Sequence, residues 1–379
     1  MLFQIPDLDS QEQEVLARIE ELKRTLGYAV SATSRRWYGV LRRVTYARAI
    51  RGSNSIEGYV VSVDDAIAAA EGGEPLEAGA AAWEAVKAYQ TAMTYVMQLA
   101  DDPHFAYSTA LLRSLHFMML QYDLARRPGR WRPGSIFVRD DERGEIVYTG
   151  PEATLVPELT EELVAFLNQS PSEVPGIIKA AMAHLDLVMI HPFSDGNGRM
   201  ARCLQTLVLA RTGVLAPPFS SIEEYLGQNT QAYYDVLAEV GGGGWHPERD
   251  ARPWIRFCLT AHYRQASTLL VRTREIQRLW DALEVEIKKH GLPERTLFAL
   301  ADAAMGLRVR NATYRPIADI SDQVAGRDLK TLVETGLLVA QGERRGRFYV
   351  ASDLALKIRA ETREKHRIED PFAGSRLPG

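Results

Sequence analysis

The sequence predicts a mainly α protein, broken by one early β-hairpin and closed by a small helix-and-hairpin module. Three observations predict it. Apolar residues recur at three- and four-residue spacing through most of the first 280 positions, as amphipathic helices require. The clear strand signal in that stretch is the pair 135–138 and 145–148, joined by the charged turn 139–144. Beyond about residue 290 the helical stretches shorten, and runs at 337–340 and 347–350 flank a turn at 342–346.

The elements follow in order. Val15, Leu16, Ile19, Leu22 and Leu26 place a helix over 11–26, behind Asp9 and Ser10 as cap candidates. Alanine-rich runs at 65–71 and 78–97 read as helices separated by the Gly-Gly-Glu-Pro break at 72–75, and 109–120 as another. After the hairpin the helical period resumes at 155–167 and 174–190, is interrupted at 191–198, and restarts over 199–211. One helix is expected over 222–240, ended by the four glycines 241–244, and a long one over 251–280. Three short helical stretches and the closing hairpin resemble a winged-helix module. The tail 370–379, rich in turn formers, is expected to be flexible.

Bulk properties exclude several classes. The chain has 379 residues, 46% hydrophobic and 25% charged, which suits a soluble globular protein of two or three domains. A net charge of −4 argues against non-specific binding of nucleic acid or acidic membrane by the whole molecule. Cys203 and Cys258 sit in apolar runs without ligand-like spacing, against a disulfide framework or zinc site. A reducing cytoplasm fits, the first residues become charged too early for a secretion signal, and no run reaches membrane-spanning length.

The chemistry concentrates in HPFSDGNGRMAR at 191–202. An apolar helix delivers His191 to its C-terminal end, and Pro192 helps stop it. Gly196 and Gly198 permit close approach of backbone to a ligand. The next helix starts near Gly198 or Arg199, so its free N–H groups and positive dipole end point into the loop and favour an anion. Arg199 and Arg202 share a face of its first turn and offer two guanidinium forks to a polyphosphate. Asp195 supplies a hard oxygen of the kind Mg²⁺ takes beside phosphates, and His191 is the group nearby able to accept a proton near neutral pH. An anion hole, a metal ligand, an arginine clamp and a base suit phosphoryl or nucleotidyl transfer.

This stretch resembles the Fic family signature HxFx(D/E)GNGRxxR at all its fixed positions: His191, Phe193, Asp195, Gly196, Asn197, Gly198, Arg199 and Arg202. The resemblance implies the Fic helical core with a β-hairpin flap, and transfer of AMP from ATP to a Ser, Thr or Tyr hydroxyl of a target protein. His191 would deprotonate that hydroxyl and Asp195 would hold Mg²⁺. Gly196, Asn197 and Gly198 would form the anion hole, Arg199 and Arg202 would bind the outer phosphates, and Phe193 would anchor the loop. The hairpin corresponds to a flap that could pair with an extended target segment.

SNSIEG at 53–58 matches the [S/T]xxxE[G/N] inhibitory motif of Fic proteins whose regulatory helix precedes the core, with Ser53 and Glu57 at its fixed positions. Tyr233 and Tyr234 stand where Fic relatives show a tyrosine pair and are candidates for stacking on adenine. GGGGWHPERD, at 241–250, is longer than is typical, and an asparagine that some relatives use near the base has no counterpart. Trp245 is a candidate for that contact or for packing. The expected organisation is an N-terminal helical region carrying the inhibitory motif over 1–100, a catalytic core over 101–265, a linker helix and winged helix over 266–369, and the tail. The implied partners are ATP, a hydroxyl-bearing protein and the chain itself, with a homodimer left open. DNA contact through Arg327, Lys330 and the wing arginines Arg344, Arg345 and Arg347 is an alternative. Removal of AMP from a modified protein is a second alternative, and a DNA-binding regulator with a minor catalytic role a third.

Overall fold

A computed structural model describes residues 1–31, 37–139, 144–169, 173–212, 216–343, 346–364 and 368–373. Helix α1 (Ser10–Ser31) opens on a reciprocal cap. Asp9 Oδ1 accepts from the Glu12 N–H and Glu12 Oε2 accepts from the Asp9 N–H. Helices α2 (Tyr38–Ile56), α3 (Val63–Ala70) and α4 (Ala80–Leu99) complete the N-terminal region. Helix α2 carries no amphipathic signal, because both its polar and apolar sides are enclosed: Thr45, Ser53 and Asn54 are buried alongside Val40, Leu41, Val44 and Ile50.

Helix α5 (Thr109–Leu120) falls where the periodicity placed it, with Ser108 as its cap. The hairpin follows as β1 (Phe137–Arg139) and β2 (Ile146–Thr149), antiparallel and with a register shift after Val138. Residues 140–143 of its turn lie outside the described residues. Helices α6 (Val156–Gln169), α7 (Gly176–Ile190) and α8 (Asn197–Ala210) form the centre. Nearly every side chain of α7 and α8 is buried, so both are core helices rather than surface ones.

The single helix expected over 222–240 is instead interrupted. After the short α9 (Pro217–Ser220) come α10 (Glu223–Gln228) and α11 (Thr230–Gly241), hinged at Asn229, whose side-chain amide donates to the Tyr225 carbonyl. The break lets Gly227 of α10 meet Gly52 of α2 backbone to backbone: a Cβ on Gly227 would lie 2.6 Å from the Gly52 Cα. Helix α12 (Arg252–Lys289) runs nine residues past the expected end at 280 and passes straight through residue 265.

Helices α13 (Thr296–Ala304), α14 (Asn311–Ala318) and α15 (Asp322–Glu334), then β3 (Leu338–Gln341) and β4 (Phe348–Ala351), form the C-terminal module, with Val309 bridging Tyr349. A final helix, α16 (Asp353–Thr362), had no counterpart in the sequence reading. It returns the chain to α12, where Glu364 pairs with Arg274 and Arg278. Asp328 of α15 is buried and takes hydrogen bonds from Arg295 and Tyr314. Arg344 and Arg345 lie outside the described residues, as do 374–379. Within the expected tail, Pro371 is buried and Phe372 packs under Arg256.

Candidate active site

Helix α7 ends on His191, which takes a left-handed conformation (φ 51°) while its N–H still closes the last turn on the Leu187 carbonyl. His191 Nδ1 lies 2.9 Å from the Val188 carbonyl oxygen. A carbonyl only accepts, so Nδ1 carries the proton and Nε2 presents its lone pair. Burial pushes the imidazole below its ordinary range, partly offset by the Val188 carbonyl and the Glu57 charge. The ring is therefore neutral, in the tautomer a base needs.

Arg132, buried in the loop before the hairpin, fixes this position. Its guanidinium donates to the carbonyls of His191 (2.8 Å), Gly134 (2.6 Å) and Pro151, and its own N–H to the Pro192 carbonyl. Tyr148 of β2 donates to the Met189 carbonyl at 2.6 Å. Together they tie the hairpin to the end of α7.

The loop after His191 is held from within. Phe193 is buried, stacked on His116 of α5 with ring centroids 3.6 Å apart, and packed on Trp131. The Asn197 side chain accepts from the Phe193 N–H and donates to the Phe193 carbonyl, both at 2.9 Å. That side chain is committed to shaping the loop, so Asn197 can serve an anion only through its backbone. His116 Nδ1 accepts from the Gly129 N–H and Nε2 donates to the Asp195 carbonyl, and burial drives its pKa down to about 4. Gly196 adopts φ 75° as the cap of α8, which begins at Asn197, before the start expected at Gly198 or Arg199.

Both arginines of the first turn of α8 are buried, and they differ in their partners. Arg202 donates from Nε to Ser53 Oγ (2.8 Å) and from one amino nitrogen to Ser53 O (3.0 Å) and Glu57 Oε1 (2.7 Å). Burial opposes its charge, but Glu57 outweighs that and holds it protonated. Arg199 Nε and one of its amino nitrogens, and the other amino nitrogen of Arg202, are buried without a hydrogen-bond partner. Buried guanidinium groups are costly to leave unpaired, and an anion reaching these nitrogens would satisfy them.

Glu57 caps the C-terminus of α2. Gly58 follows with φ 80°, its N–H bonded to the Ser55 carbonyl and the Tyr59 N–H to the Asn54 carbonyl, which is a Schellman ending. The Glu57 carboxylate sits on the first turn of α8: a Cβ at Gly198 would lie 2.3 Å from Glu57 Oε1. A negative group thus already rests against the N-terminus of α8.

Asp195 is half-buried. One carboxylate oxygen accepts from the Gly196 N–H at 2.7 Å and the other pairs with Arg126, from the turn after α5. Burial favours the neutral acid, but Arg126 prevails and keeps the pKa below the usual range. An ionised carboxylate already drawing a cation, beside guanidinium nitrogens without a hydrogen-bond partner, fits a site for Mg²⁺ held jointly by protein and phosphates. No cluster of three or more potential metal ligands exists among the described residues, so protein atoms alone would not hold the ion.

The two tyrosines of the pair differ in exposure. Tyr233 is buried among Trp254, Phe257 and His184, with its hydroxyl 3.0 Å from His184 Nε2, because its position on α11 faces the core. It is unavailable for stacking on adenine in this conformation, contrary to the expectation. Tyr234 is 45% exposed and donates to the Ile56 carbonyl at 3.0 Å, joining α11 to the end of α2. Trp245 packs edge-on against Phe3. His116, Arg126, Arg132 and Tyr59 were missed by the sequence reading. A usable signal existed, since four arginines fall between 126 and 132, beside glycine and proline breaks.

A mainly helical core with a two-stranded flap, and a loop of this geometry between two buried helices, defines the Fic class of fold. Residues 106–209 match the family model described as Fic/DOC family. Its fold is similar to a crystal structure of a Fic family protein from Desulfovibrio desulfuricans G20, with TM-score 0.57 and 20% identity over 93% of this chain and 99% of that one. It is also similar to Fic-1 (residues 134–508) from C. elegans, with TM-score 0.52 and 22% identity over 68% of this chain and 72% of that one. In sequence it is 29% identical over 279 residues to protein adenylyltransferase Fic of Nematostella vectensis, covering 71% of this chain and 58% of that protein. Against the Aedes aegypti protein of the same name identity is 39% over 114 residues, 30% of this chain and 20% of that one. The chain spans about half the length of the curated relatives it matches. No helix among the described residues is long and apolar enough to cross a membrane.

Proposed function

We propose that this chain transfers AMP from ATP to a hydroxyl side chain of a protein, and that Glu57 restrains the reaction. The observation that carries the reading is the placement of Glu57: its carboxylate bonds Arg202 and touches Gly198, on ground a phosphate would otherwise occupy. The assignment of AMP transfer rests on the likeness to proteins named adenylyltransferase.

The target hydroxyl, from Ser, Thr or Tyr, loses its proton to His191 Nε2 as its oxygen attacks the α-phosphorus, and pyrophosphate leaves. The backbone at Gly196–Gly198 and the unpaired nitrogens of Arg199 and Arg202 receive the phosphates. Mg²⁺, held by Asp195, would neutralise charge on those phosphates. The hairpin aligns the target: Phe137 and Ile146 are more than half exposed, and Arg132 and Tyr148 fix the strands to the helix end that carries His191. With Glu57 in place, ATP enters with its terminal phosphate displaced, and an ångström of misplacement costs about a hundredfold in rate. Removal of AMP is a second reading, favoured by the 24% exposure of the Glu57 side chain, which leaves it room to orient a water. The C-terminal module we read as a winged helix.

The test uses α-labelled ATP with wild type, Glu57→Gly and Glu57→Gly/His191→Ala. Labelling, including self-labelling, rises by about a hundredfold in Glu57→Gly, without a matching gain in ATP affinity, and vanishes in the double variant. Equal labelling by wild type and Glu57→Gly refutes the restraint. Loss of AMP–protein hydrolysis in Glu57→Gly selects the removal reaction.

A further inference from the structure

We propose that Tyr59 is a second locking residue, acting on the metal-ligand side of the site by covering Arg199 and holding Arg126 against Asp195. The proposal rests on the reading above, and it assigns to the inhibitory segment a part that Glu57 does not play. The left-handed Gly58 turns the chain back over the loop, and the Schellman bonds fix the Tyr59 backbone two residues from Glu57. Its ring lies across Arg199, with the guanidinium carbon 5.1 Å from the centroid. Its hydroxyl accepts at 3.2 Å from the Arg126 amino nitrogen that pairs with Asp195, while Asp123 accepts from Arg126 Nε at 2.9 Å.

The segment therefore reaches both arginines of α8 and the metal-ligand candidate at once. Glu57 takes Arg202. Tyr59 covers the arginine whose nitrogens lack partners and steadies a positive charge on Asp195. A cation and a phosphate entering together must displace that arrangement, so Tyr59 raises the Mg²⁺ concentration at which ATP binds. Removing Glu57 leaves this half of the lock standing.

The experiment measures ATP binding by calorimetry across a Mg²⁺ series, for wild type, Tyr59→Ala, Tyr59→Phe, Arg126→Gln and Glu57→Gly. An exposed charged contact is worth a small factor. On that scale the Mg²⁺ concentration for half-maximal ATP binding falls about fivefold in Tyr59→Ala and Arg126→Gln, and about twofold in Tyr59→Phe. It does not move in Glu57→Gly. Tyr59→Phe keeps ring and backbone, so it answers the question even where the alanine variant folds poorly. A shift in Arg126→Gln with none in either Tyr59 variant overturns the proposal, as does no shift in any of the three. Labelling by Glu57→Gly is scored separately: its failure to rise refutes the Glu57 restraint and leaves the Mg²⁺ series to judge Tyr59 on binding alone.

Discussion

The loop at 191–202 and the segment at 53–59 that carries Glu57 meet at one site but are secured in opposite ways. The loop is held by its own domain. Asn197 bridges Phe193, His116 stacks beneath and bonds the Asp195 carbonyl, and Arg132 clamps the His191 and Pro192 carbonyls. The segment depends largely on groups that substrate would claim: Glu57 on Arg202, Tyr59 on Arg199. Further anchors are the Ser53 bonds to Arg202, the Tyr59 bond to Arg126, the meeting of Gly52 with Gly227 one turn away, and the Tyr234 bond to Ile56. A site built this way keeps its shape when the restraint leaves. On the proposed reading, preorganisation belongs to the loop and restraint to the segment.

The strongest way to break that comparison is to disable the loop's chemistry without touching its scaffold. His191→Ala removes the base but none of the Asn197, His116 or Arg199 contacts. Transfer should fall on the order of a thousandfold with nucleotide affinity nearly unchanged, as expected when a group acts in the transition state. Labelling at the parental rate would mean that another group accepts the proton.

A smaller effect comes from prising the segment away at its remote anchor. A Cβ at Gly52 would lie 2.4 Å from the Glu223 carbonyl oxygen, part of the backbone of α10, which cannot yield as a flexible side chain would. Gly52→Ala should displace α2, lowering stability by about 1–3 kcal/mol as overpacking does. Self-labelling should rise at the same time, to less than the Glu57→Gly level. Melting temperature and label incorporation report the two effects together. A loss of stability with no gain in labelling would show that the Gly52 contact does not help hold the segment on the site.

The two regions also differed in how legible they were. The loop could be read because its chemistry is contiguous: eight defining positions lie within twelve residues, and the glycines mark the turn themselves. The fold around it was legible where helices have one wet face, as at 109–120 and 155–167. Helix α2 was not, since Thr45, Ser53 and Asn54 are buried and erase the period. The break at Asn229 was hidden because it serves a distant glycine, Gly52, and no local residue demands it. Tyr233 was misplaced for a related reason: sequence gives a residue's type but not the side of the helix it turns inward. Arg126 and Arg132 act across gaps of 69 and 59 residues, which no spacing rule captures.

The sharpest probe of the loop's independence is its pH dependence. His116 supports the loop as a neutral ring that donates to the Asp195 carbonyl and accepts from Gly129, and its pKa is driven down to about 4 by burial. In the unfolded chain it would titrate near the ordinary value of about 6.5. The folded value is the lower one, so the unfolded state takes up the proton first as pH falls. The stabilisation is complete above about pH 6.5 and is lost between there and about pH 4, a contribution on the order of 2–3 kcal/mol. His184, driven down to about 3 by burial, adds a loss of the same sign over a wider window. His116→Gln retains a donor and an acceptor but cannot titrate. It should be less stable than wild type at pH 7, since the stack on Phe193 is gone, and lose less between pH 6.5 and 4. Denaturant unfolding at several pH values would measure both slopes. Parallel slopes would mean that His116 is not held neutral in the fold, and that the loop is supported by Asn197 and Arg132 without it.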